Sequence, residues 1–173
     1  GIIGYSNSGS NYILLYNNRG TNSIRVGISP SSNFYTIPAF SFSTWNMLTV
    51  KRSGSSVRVF FNGVESSTGS LVFNTNLTNF DRIGSYSSIT HNFMFYGVKD
   101  EISVWNTALS DAQILSLYNS GNGNFATNYS PANLQAYWRC NEADEATTLV
   151  DEQGNYNGTL NNFSTPPAYF IPH

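Results

Sequence analysis

The sequence predicts an all-β chain: an antiparallel sandwich with one short helix behind its closing strand. Three observations carry this. Short runs of alternating apolar and polar residues recur, joined by turns rich in Gly, Asn and Ser, the pattern of antiparallel sheets. Asn62-Gly63 stands between two such runs, and this dipeptide is the strongest short hairpin signal. Finally, within residues 97–118 the period changes once, from two to a helical spacing.

Taken in order, residues 2–5 (Ile-Ile-Gly-Tyr) read as a short strand and residues 12–16 as a second. Asn17-Asn18-Arg19-Gly20 is a strong turn signal between them and residues 23–29, where Ile24, Val26 and Ile28 share a face. Residues 45–52 form the next strand, with Leu48 and Val50 on one face and Trp45, Met47 and Thr49 on the other. After Ser53-Gly54-Ser55, Val57, Val59 and Phe61 alternate with Ser56, Arg58 and Phe60, and Asn62-Gly63 turns the chain. The first set, Phe61 included, is expected to face the opposing sheet together with Ile102 and Val104.

Residues 97–105 alternate, with Ile102 and Val104 on one face and Glu101, Ser103 and Trp105 on the other. Ala108, Leu109, Ala112, Ile114, Leu115 and Tyr118 then fall at helical spacings. Ser110 and Gln113 stand three apart, the capping-box arrangement, and Gly121 is placed to stop the helix. Residues 121–133 read as a Gly/Asn/Ser/Pro linker. Beyond it, Leu134, Ala136, Trp138 and Cys140 alternate with Gln135, Tyr137, Arg139 and Asn141, an apolar and a wetter strand face. The last stretch, 163–173, contains Pro166-Pro167 and Pro172 and reads as an extended arm.

Composition narrows the function. The 173 residues are 40% hydrophobic and 15% aromatic, enough for one core. Charged residues are only 10%, against about a quarter in ordinary domains; Asn, Ser, Thr and Gly take their place. The net charge of −2 and the lack of a Lys/Arg cluster argue against nucleic acid, and no apolar run reaches the length of a membrane span. Cys140 is alone, so no disulfide framework exists, and a buried structural thiol is the preferred reading. The opening Gly1-Ile-Ile follows no charged leader region and is read as part of a longer or processed chain. Four Asn-x-Ser/Thr sequons, at Asn76, Asn128, Asn157 and Asn162, are about what this composition yields by chance.

The run from Phe95 through Gly97, Asp100, Glu101, Asn106, Ala108, Leu109, Ser110, Ile114 and Leu117 to Tyr118 resembles the closing strand and helix of laminin-G-like, or concanavalin A-like, domains. Trp45, Leu48, Val50 and the Asn62-Gly63 hairpin are similar to the family's middle, as is Asp81-Arg82-Ile83-Gly84. Lys99 departs from it, replacing an apolar residue. The resemblance implies a jelly-roll sandwich over residues 1–120 whose opening strands lie upstream. Residues 134–162, with Tyr137, Glu142, Asp151, Gly154, Asn155 and Gly158, are similar to the family's own opening strand and turn. In the family that strand lies beside the closing one. Residues 134–141 are therefore expected to pair with the strand through Ile102 and Val104, in this chain or, by strand donation, in a second copy.

No enzyme is expected. Asp100 and Glu101 are adjacent and point to opposite faces of a strand. Glu142-Ala-Asp144-Glu145 departs from the Glu-x-Asp-x-x-Glu strand of glucanases on this fold, because Glu145 directly follows Asp144. A calcium ion is weighed at residues 151–155, but an Asx-type turn that needs no metal is the preferred reading, and no cofactor is expected. Two aromatic and amide loops are candidates for glycan or partner contact: Tyr16, Asn17, Asn18 and Arg19, and Tyr86, His91, Asn92 and Tyr96. Trp45, Trp105 and Trp138 are expected in the core. Two roles follow, both extracellular or on a particle surface: a virion or surface structural module, or a carbohydrate-binding lectin module. The low charge and the tail motifs are similar in style to laminin-G-like virion proteins of marine tailed phages, head decorations or fibre tips.

Overall fold

A computed structural model describes residues 3–4, 13–18, 23–28, 34–37, 44–66, 71–72, 82–84, 97–143 and 146–160. Strands β1 (Ile3–Gly4), β2 (Ile13–Asn18), β3 (Ser23–Ile28), β4 (Phe34–Ile37) and β9 (Arg82–Ile83) form one sheet in the order β4-β3-β2-β1-β9. Every pairing in it is antiparallel. β2 and β3 run in register from Ile13↔Ile28 to Asn18↔Ser23. Asn17 and Asn18 thus belong to the ladder and not to the expected turn. Asn is a poor strand former, but the cross-strand partners Ile24 and Ser23 hold the backbone extended, and tertiary pairing overrides the local preference. Strand β4 has no counterpart in the sequence reading, although Phe-Tyr-Thr-Ile is made of good strand formers.

The second sheet contains β5 (Leu48–Ser53), β6 (Ser56–Phe61) and β7 (Val64–Glu65) in that order, and β8 (Leu71–Val72) also pairs with β6. Asn62 and Gly63 make the tight turn between β6 and β7, both at positive φ (51° and 79°), as a two-residue hairpin of the primed type requires. The Asn62 side chain does more than turn: its Oδ1 accepts from the Met47 amide at 2.9 Å and its Nδ2 donates to Asn46 Oδ1 at 3.2 Å. Gly63 is required twice over. A Cβ there would sit 2.9 Å from Leu115 Cδ1 and 3.1 Å from its Cα, so the hairpin tip lies directly against the helix.

The face assignment of β6 needs correction. Val57 and Val59 are buried as expected, but so is Phe60, at 2% exposed, whereas Phe61 is only partly buried. Both faces of β6 are covered. Phe60 packs with Leu109, Ile114, Met47 and Trp105 beneath the helix, a layer that alternation within a single strand cannot reveal.

Strand β10 (Ile102–Trp105) leads into helix α1 (Asp111–Tyr118). The capping box forms in full: Ser110 Oγ accepts from the Gln113 amide at 3.1 Å, and Gln113 Oε1 accepts from the Ser110 amide at 2.8 Å. Gln113 Nε2 also reaches Ser130 Oγ at 3.2 Å, tying the helix to the segment after it. Ile114 and Leu117 are buried and Leu115 is 53% exposed, so the buried stripe runs through Leu117 where Leu115 was expected. Asn119, in the left-handed conformation, ends the helix before Gly121 does. Asn tolerates that conformation better than most residues; Gly121, at φ +97°, belongs to the following 3-10 turn.

Residues 121–133, expected as a linker, are folded. They carry helical turns at Ala126–Asn128 and Pro131–Asn133, and Ala126 is fully buried. They deliver β11 (Leu134–Trp138) to β10, antiparallel and in the same chain: Ile102↔Trp138, Ser103↔Tyr137, Val104↔Ala136, Trp105↔Leu134. The expected division of β11 into an apolar and a wet face does not hold. Leu134 and Ala136 are buried, but Tyr137 is the most buried of all at 1%, packed with Ala126, Leu134 and Trp105. Trp105 thus touches both clusters, the one under the helix and the one behind β11. Trp138 is only partly buried and Trp45 is 45% exposed, so of the three tryptophans Trp105 alone lies against the described core clusters. Strands β12 (Thr148–Leu149) and β13 (Gly158–Thr159) pair with each other and complete the described elements.

Candidate functional site

Of the two loops singled out in the sequence, only residues 16–18 fall within the described residues. Tyr16, Asn17 and Asn18 sit in strand β2, opposite Arg25, Ile24 and Ser23. Arg19, Tyr86, His91, Asn92 and Tyr96 lie outside the described residues, as do Asp144, Glu145 and the arm 163–173.

The calcium candidate resolves into a structural clamp. Asp151 is 2% exposed. Its Oδ1 accepts from the amides of Tyr137 (2.7 Å) and Gln153 (3.1 Å), its Oδ2 from those of Asn155 and Tyr156 (3.0 Å each). Burial alone raises the pKa of this carboxyl, but the four amide donors outweigh it and hold the group below the usual carboxylate range. All four acceptor sites of the carboxylate are occupied, so nothing is left to offer a cation. Among the described residues no group of three His, Cys, Asp or Glu is placed to hold a metal ion. The clamp is a wider form of the expected Asx-type turn. It also pins β11, since the Glu152 amide donates to the Tyr137 carbonyl (2.8 Å) and Trp138 Nε1 donates to the Tyr156 carbonyl (2.9 Å).

Glu142, the first carboxylate of the weighed catalytic strand, accepts from the Val150 amide at 2.7 Å through Oε1. It braces the turn between β11 and β12. Cys140 is partly buried at positive φ, and burial, followed by the charge of Asp100, pushes its thiol up to about 12. A thiol so shifted is not a nucleophile at neutral pH.

What the structure does assemble is a cluster just past the end of the β10–β11 ladder, one step beyond Ile102↔Trp138. Glu101 stands there at φ 52°, a left-handed conformation unusual for a residue other than Gly, with its amide donating to Asp100 Oδ1 at 2.9 Å. Its Oε2 accepts from the Tyr137 hydroxyl, and its Oε1 lies 3.5 Å from Arg139 Nε. Burial, then the bond to Glu101, raises the Tyr137 phenol above its ordinary value, which keeps it a donor. The Arg139 guanidinium lies over the Phe125 ring, 4.7 Å from its centroid. Phe125 is 50% exposed, yet its backbone is fixed: Asn124 Oδ1 accepts from the Phe125 amide (3.0 Å) and Asn128 Nδ2 (2.9 Å), while Asn124 Nδ2 donates to Tyr129 Oη (2.9 Å). Lys99 stands close by, and burial pushes its amine down to about 8. Sequence reasoning missed this cluster because Glu101 and Arg139 are far apart in the chain; only the β10–β11 register, with the turn at Phe125, unites them. The one available signal was the expected pairing of residues 134–141 with that strand.

A protein from Bacteroides ovatus, assigned rather than shown to bind carbohydrate, is similar to this chain with a TM-score of 0.59 at 16% identity, over 91% of this chain and 49% of that one. An S-layer domain-containing protein from Clostridium thermocellum is 22% identical over 66% of this chain and 60% of that one, with a TM-score of 0.41, too low to carry an argument. The chain thus spans about half the length of the first protein, and the likeness is one of fold alone. No curated protein matches the sequence. The model of the concanavalin A-like lectin/glucanases superfamily, in its laminin-G form, matches residues 1–115. With antiparallel sheets and one short helix behind the closing strand, the chain has the jelly-roll β-sandwich of that superfamily and belongs to it.

Proposed function

We propose that this chain is a carbohydrate-binding module of an extracellular or particle surface, without catalytic activity of its own. The observation that carries the reading is how the carboxylates of a lectin-type sandwich are used here. Asp151 and Glu142 are committed to backbone amides, and Glu101 to Tyr137 and Arg139. A glycosidase needs two carboxyl groups facing one scissile bond, and none of these is so placed. Low charge with abundant Asn, Ser, Thr and Gly gives the hydroxyl- and amide-rich exterior suited to such a surface. A glycan array tests the reading, together with a reducing-sugar assay on β-glucans. Saturable binding without turnover is the expected result. Turnover abolished by Glu142→Gln would overturn it.

A second reading, a head-decoration or fibre protein of a phage particle, is favoured by the tail motifs at Tyr137-Trp138-Arg139 and Asn157-Gly158-Thr159-Leu160. Since β11 is paired within its own chain, assembly in that case uses side-chain surfaces and not donation of this strand. A blank array with discrete oligomers in size-exclusion chromatography would favour it. In either case we place residues 134–160 in the same folding unit as β10, with 121–133 as a packed connection.

A further inference from the structure

We propose that Arg139, Glu101 and Phe125 form a binding site for adjacent hydroxyls of a neutral sugar ring. The proposal rests on the carbohydrate reading above and assigns it a place and a ligand class.

Arg139 leaves its donors unused among the described residues. Its guanidinium carries five N–H donors, yet among the described residues it makes no hydrogen bond: Nε is 3.5 Å from Glu101 Oε1, beyond good geometry, and the other contact is the Phe125 ring. Stacking and Coulomb attraction therefore fix the guanidinium without consuming a donor. The side chain is about one-third exposed, at 32%, and so is that of Glu101, at 31%. Glu101 has one oxygen taken by Tyr137 and the other facing Arg139. A charged donor and a charged acceptor thus stand side by side, both preorganised, one by an aromatic ring and the other by a buried phenol. A pair of adjacent sugar hydroxyls offers the complement, one donating to the carboxylate and one accepting from the guanidinium. The exposed part of Phe125 presents carbon surface to the C–H groups of such a ring.

Charge selects the neutral class. Among the described residues, Lys99 and Arg139 are outnumbered here by Asp100, Glu101 and Glu142, all but Arg139 acting electrostatically on Cys140, so their sum is 2 − 3 = −1. A carboxylated or sulfated sugar would approach against that field. The left-handed backbone of Glu101, and of Cys140 next to Arg139, is the kind of local strain that collects at binding sites.

Affinity electrophoresis tests the assignment, in gels containing mannan, galactan, dextran or laminarin, with alginate as the anionic comparison. Wild-type protein is expected to be retarded by at least one neutral polysaccharide. Arg139→Gln is expected to weaken that retardation about tenfold or more, as loss of a charged hydrogen bond implies, and Phe125→Ala to weaken it by removing the ring that fixes the guanidinium, while Val64→Thr on strand β7 behaves as wild type. Thermal melts establish that the variants are folded. In the unmodified protein, the Arg139 Nε–H resonance is expected to shift on adding the methyl glycoside of the retarding polymer's sugar. Retardation by alginate alone would overturn the neutral class. Retardation that both folded variants retain, or a static Arg139 resonance, would overturn the site and leave the carbohydrate reading standing. Retardation by none of the gels would overturn both.

Discussion

Phe60 and Phe61 are neighbours of identical chemistry with different fates. Phe60 is buried beneath α1, with Lys51 and Arg58 flanking its ring at 5.9 and 5.1 Å, whereas Phe61 is partly open. Phe60→Ala is expected to cost about 3–5 kcal/mol in urea melts, the range for a buried aromatic, and Phe61→Ala clearly less. Equal costs would restore the assignment that alternation gives. At Lys99 the question is one of pH. Its folded-state pKa is about 8 because it is buried, and about 10.4 is the value for the unfolded chain. Below pH 8 the amine is charged in both states and the fold bears the desolvation cost. Between pH 8 and about 10.4 the folded state releases a proton that the unfolded state keeps, so stability rises with pH. Measured against Lys99→Met, wild-type protein is therefore expected to gain stability across this window; a constant difference would mean the amine is well solvated.

At the level of elements, helix α1 is secured by two devices, one within it and one to the second sheet. One is the capping box. The other is a charge network: Lys51 and Arg58 are directly opposed across β5 and β6, an arrangement that is repulsive alone. Asp111 bridges them, at 2.7 Å from Lys51 Nζ and 2.8 Å from Arg58 Nη2, and Arg58 also pairs with Glu65. The hydrogen bonds from Lys51 and Arg58 hold the Asp111 carboxyl below its ordinary range. The carboxylates of Asp111 and Glu65 are exposed, so salt screens the network. Ser110→Ala is expected to cost about 1 kcal/mol at any salt concentration, whereas the smaller cost of Asp111→Asn should fade as NaCl is raised. An Asp111→Asn cost that does not change with salt would argue against a charge network at this helix. The cap was legible in the sequence because it is local, Ser110 and Gln113 standing three apart. The network was not, because Lys51, Glu65 and Asp111 meet only after the sheet and helix dock. The same holds for Phe60, whose burial depends on a helix some 50 residues away in the chain.

For the whole molecule, local patterning revealed the hairpins β2–β3, β5–β6 and β6–β7, and resemblance revealed that a strand beginning at Leu134 belongs beside β10, where the pairing runs to Trp138 and not to Asn141. What sequence left open was everything decided between elements: Tyr137 buried on a face that reads as polar, Ala126 buried in a segment that reads as a linker, and the meeting of Glu101 with Arg139. Amides from Ala136 to Trp138 are expected to resist hydrogen exchange as strongly as those of β10, independent of protein concentration. Protection lost on dilution would place β11 in a second copy. The Asp151 clamp has a consequence in time. Three of its four amides, at Gln153, Asn155 and Tyr156, lie within five residues of the carboxylate, and only that of Tyr137 comes from a distance. The turn can close early on its own, presenting one remaining acceptor site as a mould onto which β11 settles, so the C-terminal segment carries its own nucleus. Asp151→Ala is then expected to slow refolding in stopped-flow experiments more than it speeds unfolding; the reverse would mean the clamp fastens only after the sandwich has formed.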